Sequence, residues 1–356
     1  MDRREDGERA ASSATEQTGA NLEVRTTDYH TAGEPFRIVT SQLPEIPGET
    51  VGDRRMYAMR SAELDRLRRL LCYEPRGHAD MYGCFLAPPD DDGADTGVLF
   101  WHKDGFSTAC GHGTIALATW LVETGQADAA PDGVTNLVID VPSGRVVARV
   151  RCAGGQVQSV TLRNVASYVL ARSVPVETRT GTLHADLAYG GAVYACVDVR
   201  SAGLTVSPEH YEDLIAVGRE IKWALNEVAE AQHPSDPRLS GVYGTIWYDD
   251  LGDSADGIHQ RNVTVFADGE VDRSPCGSGT AARVALLAEE GRLTPGKVLT
   301  HESIIGTRFI ACVADHTTAE GRPAVVPEVQ GSAYLTGEHV FTLDPRDDLE
   351  TGFVLR

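Results

Sequence analysis

Two segments of this chain are apolar on nearly every face of a helix. In the first, Ile115, Leu117, Ala118, Leu121 and Val122 recur at helical spacing; in the second, Ala281, Val284, Ala285, Leu287 and Ala288 do the same. Helices of that kind are buried, so each is expected to run through the middle of a domain. Both open on Cys-Gly-x-Gly-Thr, at Cys110 and Cys276, and both are followed by a Gly, Gly125 or Gly291, placed to end the helix in a left-handed turn. A strand-like run precedes each, Val98–Trp101 and Val263–Phe266, with a Gly-containing turn at Gly105 or Gly269 in between.

Most of the remaining chain reads as strands: residues 37–40, 137–141, 146–150, 157–162, 192–199 and 340–343. Turns such as Pro142-Ser143-Gly144 and Ala153-Gly154-Gly155 separate several of them. Tyr211–Glu230 reads as a surface helix and His233–Ser240 as a loop. The two cysteine segments lie 166 residues apart in a chain of 356, and His30-Thr31-Ala32-Gly33 is weakly echoed by Ala188-Tyr189-Gly190-Gly191. Matched spacing of this kind predicts a duplication. The expected organisation is a polar disordered tail over 1–22, one half over 23–185 and a second over 186–356, its last strands free to return to the first half. The class is α+β.

Composition narrows the function. A formal net charge of −20 with no basic stripe argues against nucleic acid and anionic membranes as partners. Met1–Asn21 is polar without an apolar run, and no stretch approaches a membrane span, so a cytoplasmic protein is expected. The seven cysteines are widely spaced with no Cys-x-x-Cys pair, which predicts reduced thiols and disfavours a zinc knuckle.

The chemistry is predicted at the two helix starts. A cysteine there sits among unpaired N–H groups at the positive end of the helix dipole, which lowers its pKa toward neutrality. The flanking glycines let backbone N–H groups converge on an anion, for which a carboxylate is the natural guest. Two such starts facing each other would place a sulfur on each face of the adjacent carbon. Inverting an α-carbon needs that arrangement: a base on one face, an acid on the other, and fixed donors around the carboxylate. A Cys–His hydrolase is disfavoured, because His112 is expected to point away from Cys110.

From about Asp28 onward the chain resembles the proline racemase family. The carrying stretches are HTAGEP (His30–Pro35), GHADMYG (Gly77–Gly83), ACGHGT (Ala109–Thr114) and DRSPCGSGTAAR (Asp272–Arg283). The resemblance implies two pseudo-symmetric domains of the diaminopimelate-epimerase fold, each a curved, mostly antiparallel sheet around a central helix. It implies proline or hydroxyproline as substrate, no cofactor and no metal. A homodimer is common among such enzymes, although no residue here demands one. Cys110 and Cys276 would be the acid–base pair, with Gly111, His112, Gly277, Ser278 and Gly279 around the carboxylate. Asp272 would take the cationic ring nitrogen, and Tyr82 and Phe266 would touch the ring. His30, Gly190 and Gly191 would lie near the site. Dehydratases of the family typically carry Thr in place of the second cysteine, so Cys276 points to a two-base racemase or epimerase. Tyr82, the Val265–Pro275 run, GSGTAAR and Thr351-Gly352-Phe353 instead resemble the branch that dehydrates trans-3-hydroxy-L-proline, which is the alternative.

Overall fold

The computed structural model describes residues 22–253, 255 and 257–355. The expected tail lies outside these residues except for Leu22, which opens the first strand. Five α-helices are present among the described residues: α1 (Val51–Ala58), α2 (Ala62–Cys72), α3 (Gly111–Glu123), α4 (Tyr211–Leu225) and α5 (Gly277–Glu289). Eighteen strands link into one hydrogen-bonded network.

The order of elements repeats. Strand Glu34–Val39 leads through α1 and α2 to its parallel neighbour Gly83–Ala87, which pairs antiparallel with Thr96–His102. Strand Val193–Asp198 likewise leads through α4 to its parallel neighbour Val242–Asp253, which pairs antiparallel with Gly257–Phe266. Then α3 crosses from Thr96–His102 to the parallel strand Gly133–Val141, and α5 crosses from Gly257–Phe266 to the parallel strand Val298–Ser303. Two antiparallel strands complete each series, and the last of each, Gln156–Arg163 and Arg322–Gly331, pair with one another.

Beyond that seam the chain exchanges strands. Ser167–Thr178 pairs with Gly181–Tyr189 in the second series, whereas the final strand, Ala333–Leu343, pairs with Leu22–Thr31 at the start of the first. The expected division at 185/186 therefore falls inside a paired strand. The change-over in pairing comes near Asn164, between strands Gln156–Arg163 and Ser167–Thr178.

Residues 111–121 of α3 and 277–287 of α5 are all buried, as their all-round apolar character dictates. Both helices end in the same motif. Gln126 and Arg292 donate their N–H groups to Leu121 O and Leu287 O, while Gly125 and Gly291, each at φ 69°, donate to Val122 O and Ala288 O. Helix α3 packs against Leu22–Thr31, Glu34–Val39, Gly144–Ala153, Gln156–Arg163 and Ala333–Leu343; α5 packs against the corresponding strands of the other series. Helices α1 and α2 were not expected from the sequence, yet each has a cap. Thr50 and Asp53 form a reciprocal capping box, and the Ser61 hydroxyl accepts from Leu64 N. Helix α4 ends at Leu225, short of the expected Glu230, and buries Leu214, Val217, Ile221 and Leu225 on one face.

Candidate active site

The N-termini of α3 and α5 meet. A Cβ placed on Gly111 would lie 2.5 Å from the Gly277 Cα, and one placed on Gly277 would lie 2.5 Å from the Gly111 Cα. The second glycine of each motif has a different task. A Cβ at Gly113 would stand 2.7 Å from the Cys110 sulfur, and one at Gly279 would stand 2.9 Å from the Cys276 sulfur. Each sulfur is thus folded back over the first turn of its helix, into space that only glycine leaves free.

The two cysteines are held differently. Cys110 is an extended N-cap residue, and Gly113 N–H donates to its sulfur at 3.2 Å. Cys276 sits at φ 63°, ψ 110°, a backbone conformation that L residues rarely occupy and that needs outside support. Two hydrogen bonds supply some of it: Ser274 N–H donates to Asp272 Oδ1 at 2.8 Å, and Cys276 N–H donates to Ser274 Oγ at 3.0 Å. The Tyr194 hydroxyl lies 3.7 Å from the Cys276 sulfur and 2.8 Å from Ser278 Oγ.

A narrow buried cavity lies between the helix starts, lined by Tyr82, Cys110, Gly111, His112, Phe266, Asp272, Cys276, Gly277 and Ser278 together with Ala109, Tyr194 and Tyr243. Nine of the residues expected at a site are therefore brought together. Gly279 lies directly beneath Cys276. Gly190 and Gly191 support the site from behind: a Cβ at Gly190 would lie 2.3 Å from Ser278 O, and one at Gly191, where φ is +99°, would lie 2.8 Å from the Ala109 Cβ. His30 is not in the cavity. Its Nδ1 accepts from Gly33 N–H in the adjoining turn, and its ring lies 5.5 Å from that of Tyr334.

Two expectations need correction. The His112 ring does not point away: its nitrogens lie 3.4 and 3.6 Å from the Cys110 sulfur, and Nδ1 is 3.7 Å from Asp272 Oδ2. Edge contacts with Phe36 and Tyr82 pack the ring in that orientation. Nor is either thiol drawn toward neutrality. Burial pushes both Cys110 and Cys276 upward, and Asp272 adds to the effect, outweighing the helix N–H groups that favour the thiolate.

Tyr194 and Tyr243 escaped the sequence reading because each lies in a strand with no motif of its own. The Tyr243 ring stacks on Phe266 and meets Tyr194 edge-on, and its hydroxyl is 2.8 Å from that of Tyr82, which also contacts Ser107 Oγ. Glu34, inside the HTAGEP stretch, is fully buried, accepts from Arg273 N–H at 2.7 Å and leaves its other oxygen without a partner. Burial and the neighbouring Asp272 carboxylate hold its carboxyl well above the usual range. Among the described residues His102, Asp104 and Glu270 converge as metal-type ligands, but Lys103 already brings its ammonium to 2.9 Å from Asp104 and 3.7 Å from Glu270.

A sheet wrapped around a central helix, built twice with the helix starts abutting, is the architecture of epimerase-like proteins. The PhzF-family protein of Bacillus anthracis has this fold, with a TM-score of 0.54 over 90 % of this chain and 99 % of that one at 13 % identity. The chain belongs to the proline racemase family, whose profile matches residues 26–354. It is 46 % identical to a trans-3-hydroxy-L-proline dehydratase of Bacillus thuringiensis, over 93 % of this chain and 97 % of that one. It is 45 % identical to a 3-hydroxyproline 2-epimerase of Burkholderia multivorans, over 93 % and 98 %. A hydroxyproline epimerase from Agrobacterium vitis, solved with bound trans-4-hydroxy-L-proline, superposes with a TM-score of 0.86 at 34 % identity, covering 94 % and 96 %.

Proposed function

We propose that this enzyme inverts the α-carbon of a hydroxyproline without a cofactor, Cys110 and Cys276 acting as the two acid–base groups. The observation that carries this reading is that both sulfurs line one cavity at the abutting starts of α3 and α5. A substrate carboxylate would take the N–H groups of Gly111, His112, Gly277 and Ser278, where the helix dipoles favour negative charge, while the Gly279 N–H serves the Cys276 sulfur. Asp272 would accept from the ring ammonium, and Tyr82, Phe266 and Tyr243 would pack on the ring.

One thiolate takes the α-proton as the electron pair moves toward the carboxylate; the opposite thiol returns a proton to the other face. The carbanion forms in a dry site beside preorganised N–H donors, where such stabilisation is strongest. A cationic amine brought between the sulfurs opposes the upward pull of burial on the thiol pKa, so ionisation is favoured once substrate is seated. 3-Hydroxyproline is the first substrate to test, since the similar Burkholderia multivorans protein is named for its 2-epimerisation.

Dehydration of trans-3-hydroxy-L-proline is the second reading, favoured by the names of several relatives 45–46 % identical. It needs one thiolate to take the α-proton and the C3–O bond to break, the hydroxide leaving with a proton as water. Proton NMR in D₂O separates the two. Trans-3-hydroxy-L-proline, trans-4-hydroxy-L-proline and L-proline are incubated separately. Inversion with deuterium at Cα supports the epimerase, and loss of the 3-hydroxyl to give a pyrroline carboxylate supports the lyase. If none of the three exchanges its α-proton, both readings fail. Cys276→Ser should abolish inversion; dehydration surviving that substitution would make the enzyme a one-base lyase.

A further inference from the structure

A cleft of about 570 Å³ lies against the cavity just described. Tyr243 lines both spaces, and Ser107, in the cleft wall, contacts the Tyr82 hydroxyl. The Tyr82, Ser107 and Tyr243 hydroxyl cluster thus stands between the cleft and the buried cavity.

The charges along the cleft are unevenly matched. Arg68 is paired with Asp65 at 2.6 Å, Arg238 with Asp53 at 2.8 Å, and Asp268 with Arg219 at 2.6 Å. Lys103 engages Asp104. Two cations have no carboxylate partner among the described residues. Arg55 is held only by backbone carbonyls, its Nε donating to Phe106 O at 2.9 Å and its Nη1 to Arg238 O at 3.3 Å. Lys222 rests its ammonium 3.2 Å from the centre of the Trp223 ring. Both are substantially buried, and desolvation pulls down the pKa of each. Asp236 acts on Arg55, and Asp268, Asp104 and Glu270 act on Lys222, only from beyond ion-pair distance. Neither cation is thus capped by a direct carboxylate contact, which is unexpected in a chain of net charge −20.

We infer that this cleft is the way into the catalytic cavity, and that Arg55, with Lys222, forms a docking point for the carboxylate of the arriving substrate. The inference rests on the functional reading above. The fixed fork of Arg55 suits a carboxylate. The substrate then passes to the helix N-termini as Tyr243 parts from Tyr82 and Ser107. The Arg55 interaction belongs to the route and not to the final bound state, and this sets a kinetic signature. Removing it slows arrival and departure together and leaves the equilibrium affinity in place.

Stopped-flow fluorescence with pyrrole-2-carboxylate, a ring carboxylate already flat at the α-position, reads this directly. In Arg55→Gln the association and dissociation rate constants should each fall about fivefold, with Kd within twofold of wild type. Arg55→Lys, which keeps the charge, should recover most of both rates, and Arg60→Gln, on the exposed end of the same segment, should change neither. Sulfate at fixed ionic strength should slow association to the wild type and lose that effect in Arg55→Gln. Wild-type rates in Arg55→Gln would overturn the docking point. So would weakened Kd shared equally by Gln and Lys, which marks a structural defect, or sulfate that binds without slowing the ring carboxylate. A wild-type protein that neither binds pyrrole-2-carboxylate nor exchanges an α-proton would defeat the functional reading, and this inference with it. Binding and exchange in the wild type with unchanged Arg55→Gln kinetics would defeat the docking point alone.

Discussion

Gly111 and Gly277, the first residues of α3 and α5, lie backbone against backbone, each occupying the space in which the other's Cβ would stand. Neither has a positive φ, so their need for glycine is purely one of space. Alanine at the first position of a helix is ordinarily well tolerated. Gly111→Ala or Gly277→Ala should therefore spare each helix and force the two apart by about 1 Å. Displacement on that scale costs roughly 100-fold in rate. The expected result is such a loss of kcat/KM with a folded circular-dichroism spectrum. Near-wild-type turnover would show that the contact does not set the spacing of the sulfurs.

Asp272 raises the pKa of both thiols, and in the proposed binding mode it would also face the ring ammonium. Its two roles separate on substitution. In Asp272→Asn both thiols lose a repulsive negative neighbour, so alkylation by iodoacetamide should reach its half-maximal rate at lower pH. Turnover should fall at the same time, by about 100-fold or more, as expected for truncating a buried charge that pairs with a ligand. Peptide mapping with a kinetic assay measures both. Parallel loss of alkylation and turnover would argue for collapse of the site.

Tyr194 touches only the second sulfur and lowers its pKa. Tyr194→Phe should raise the Cys276 pKa further and slow its alkylation, leaving Cys110 as in the wild type. Mass spectrometry of the two cysteine peptides over a pH series distinguishes this from a general change in access, which would slow both.

Glu34 carries a carboxyl whose folded-state pKa lies above its unfolded value. A group of this kind contributes fully below the unfolded pKa, near 4.3, and its contribution is lost as pH rises through the folded value. Glu34→Gln keeps a carbonyl to accept from Arg273 N–H and removes the ionisation. Its Tm relative to wild type should accordingly rise between about pH 4.3 and pH 8. A difference independent of pH would mean that Glu34 does not titrate in this range.

Much of this site can be read from one repeated motif. Cys-Gly-x-Gly locates both sulfurs, and its two glycines map onto two separate steric demands, helix against helix and sulfur over helix. The expected helix-ending glycines, Gly125 and Gly291, also occupy their positions. What escaped has a common cause. Tyr194 and Tyr243 reach the cavity because parallel pairing sets Tyr194 beside Gly244, one residue from Tyr243, a relation with no trace in local sequence. The His112 rotamer is fixed by Phe36 and Tyr82, from distant strands and turns. The rise in thiol pKa follows from how completely the two halves of the wall close, which a helix start considered alone does not disclose. The capping signals of α1 and α2 stand in the sequence at Thr50-x-x-Asp53 and Ser61, but signals this short do not by themselves mark a helix.

The strand exchange bears on how the chain acquires its shape. Strand Leu22–Thr31 has as one of its two neighbours Ala333–Leu343, which lies about 300 residues further along the chain. Without that strand α3 lacks part of its wrapping, and a fragment ending near Asn164 would expose the gap. The two series are consequently mutual chaperones in one polypeptide: neither wraps its own helix without a strand from beyond the seam, and the cavity between them can be built only when both are in place.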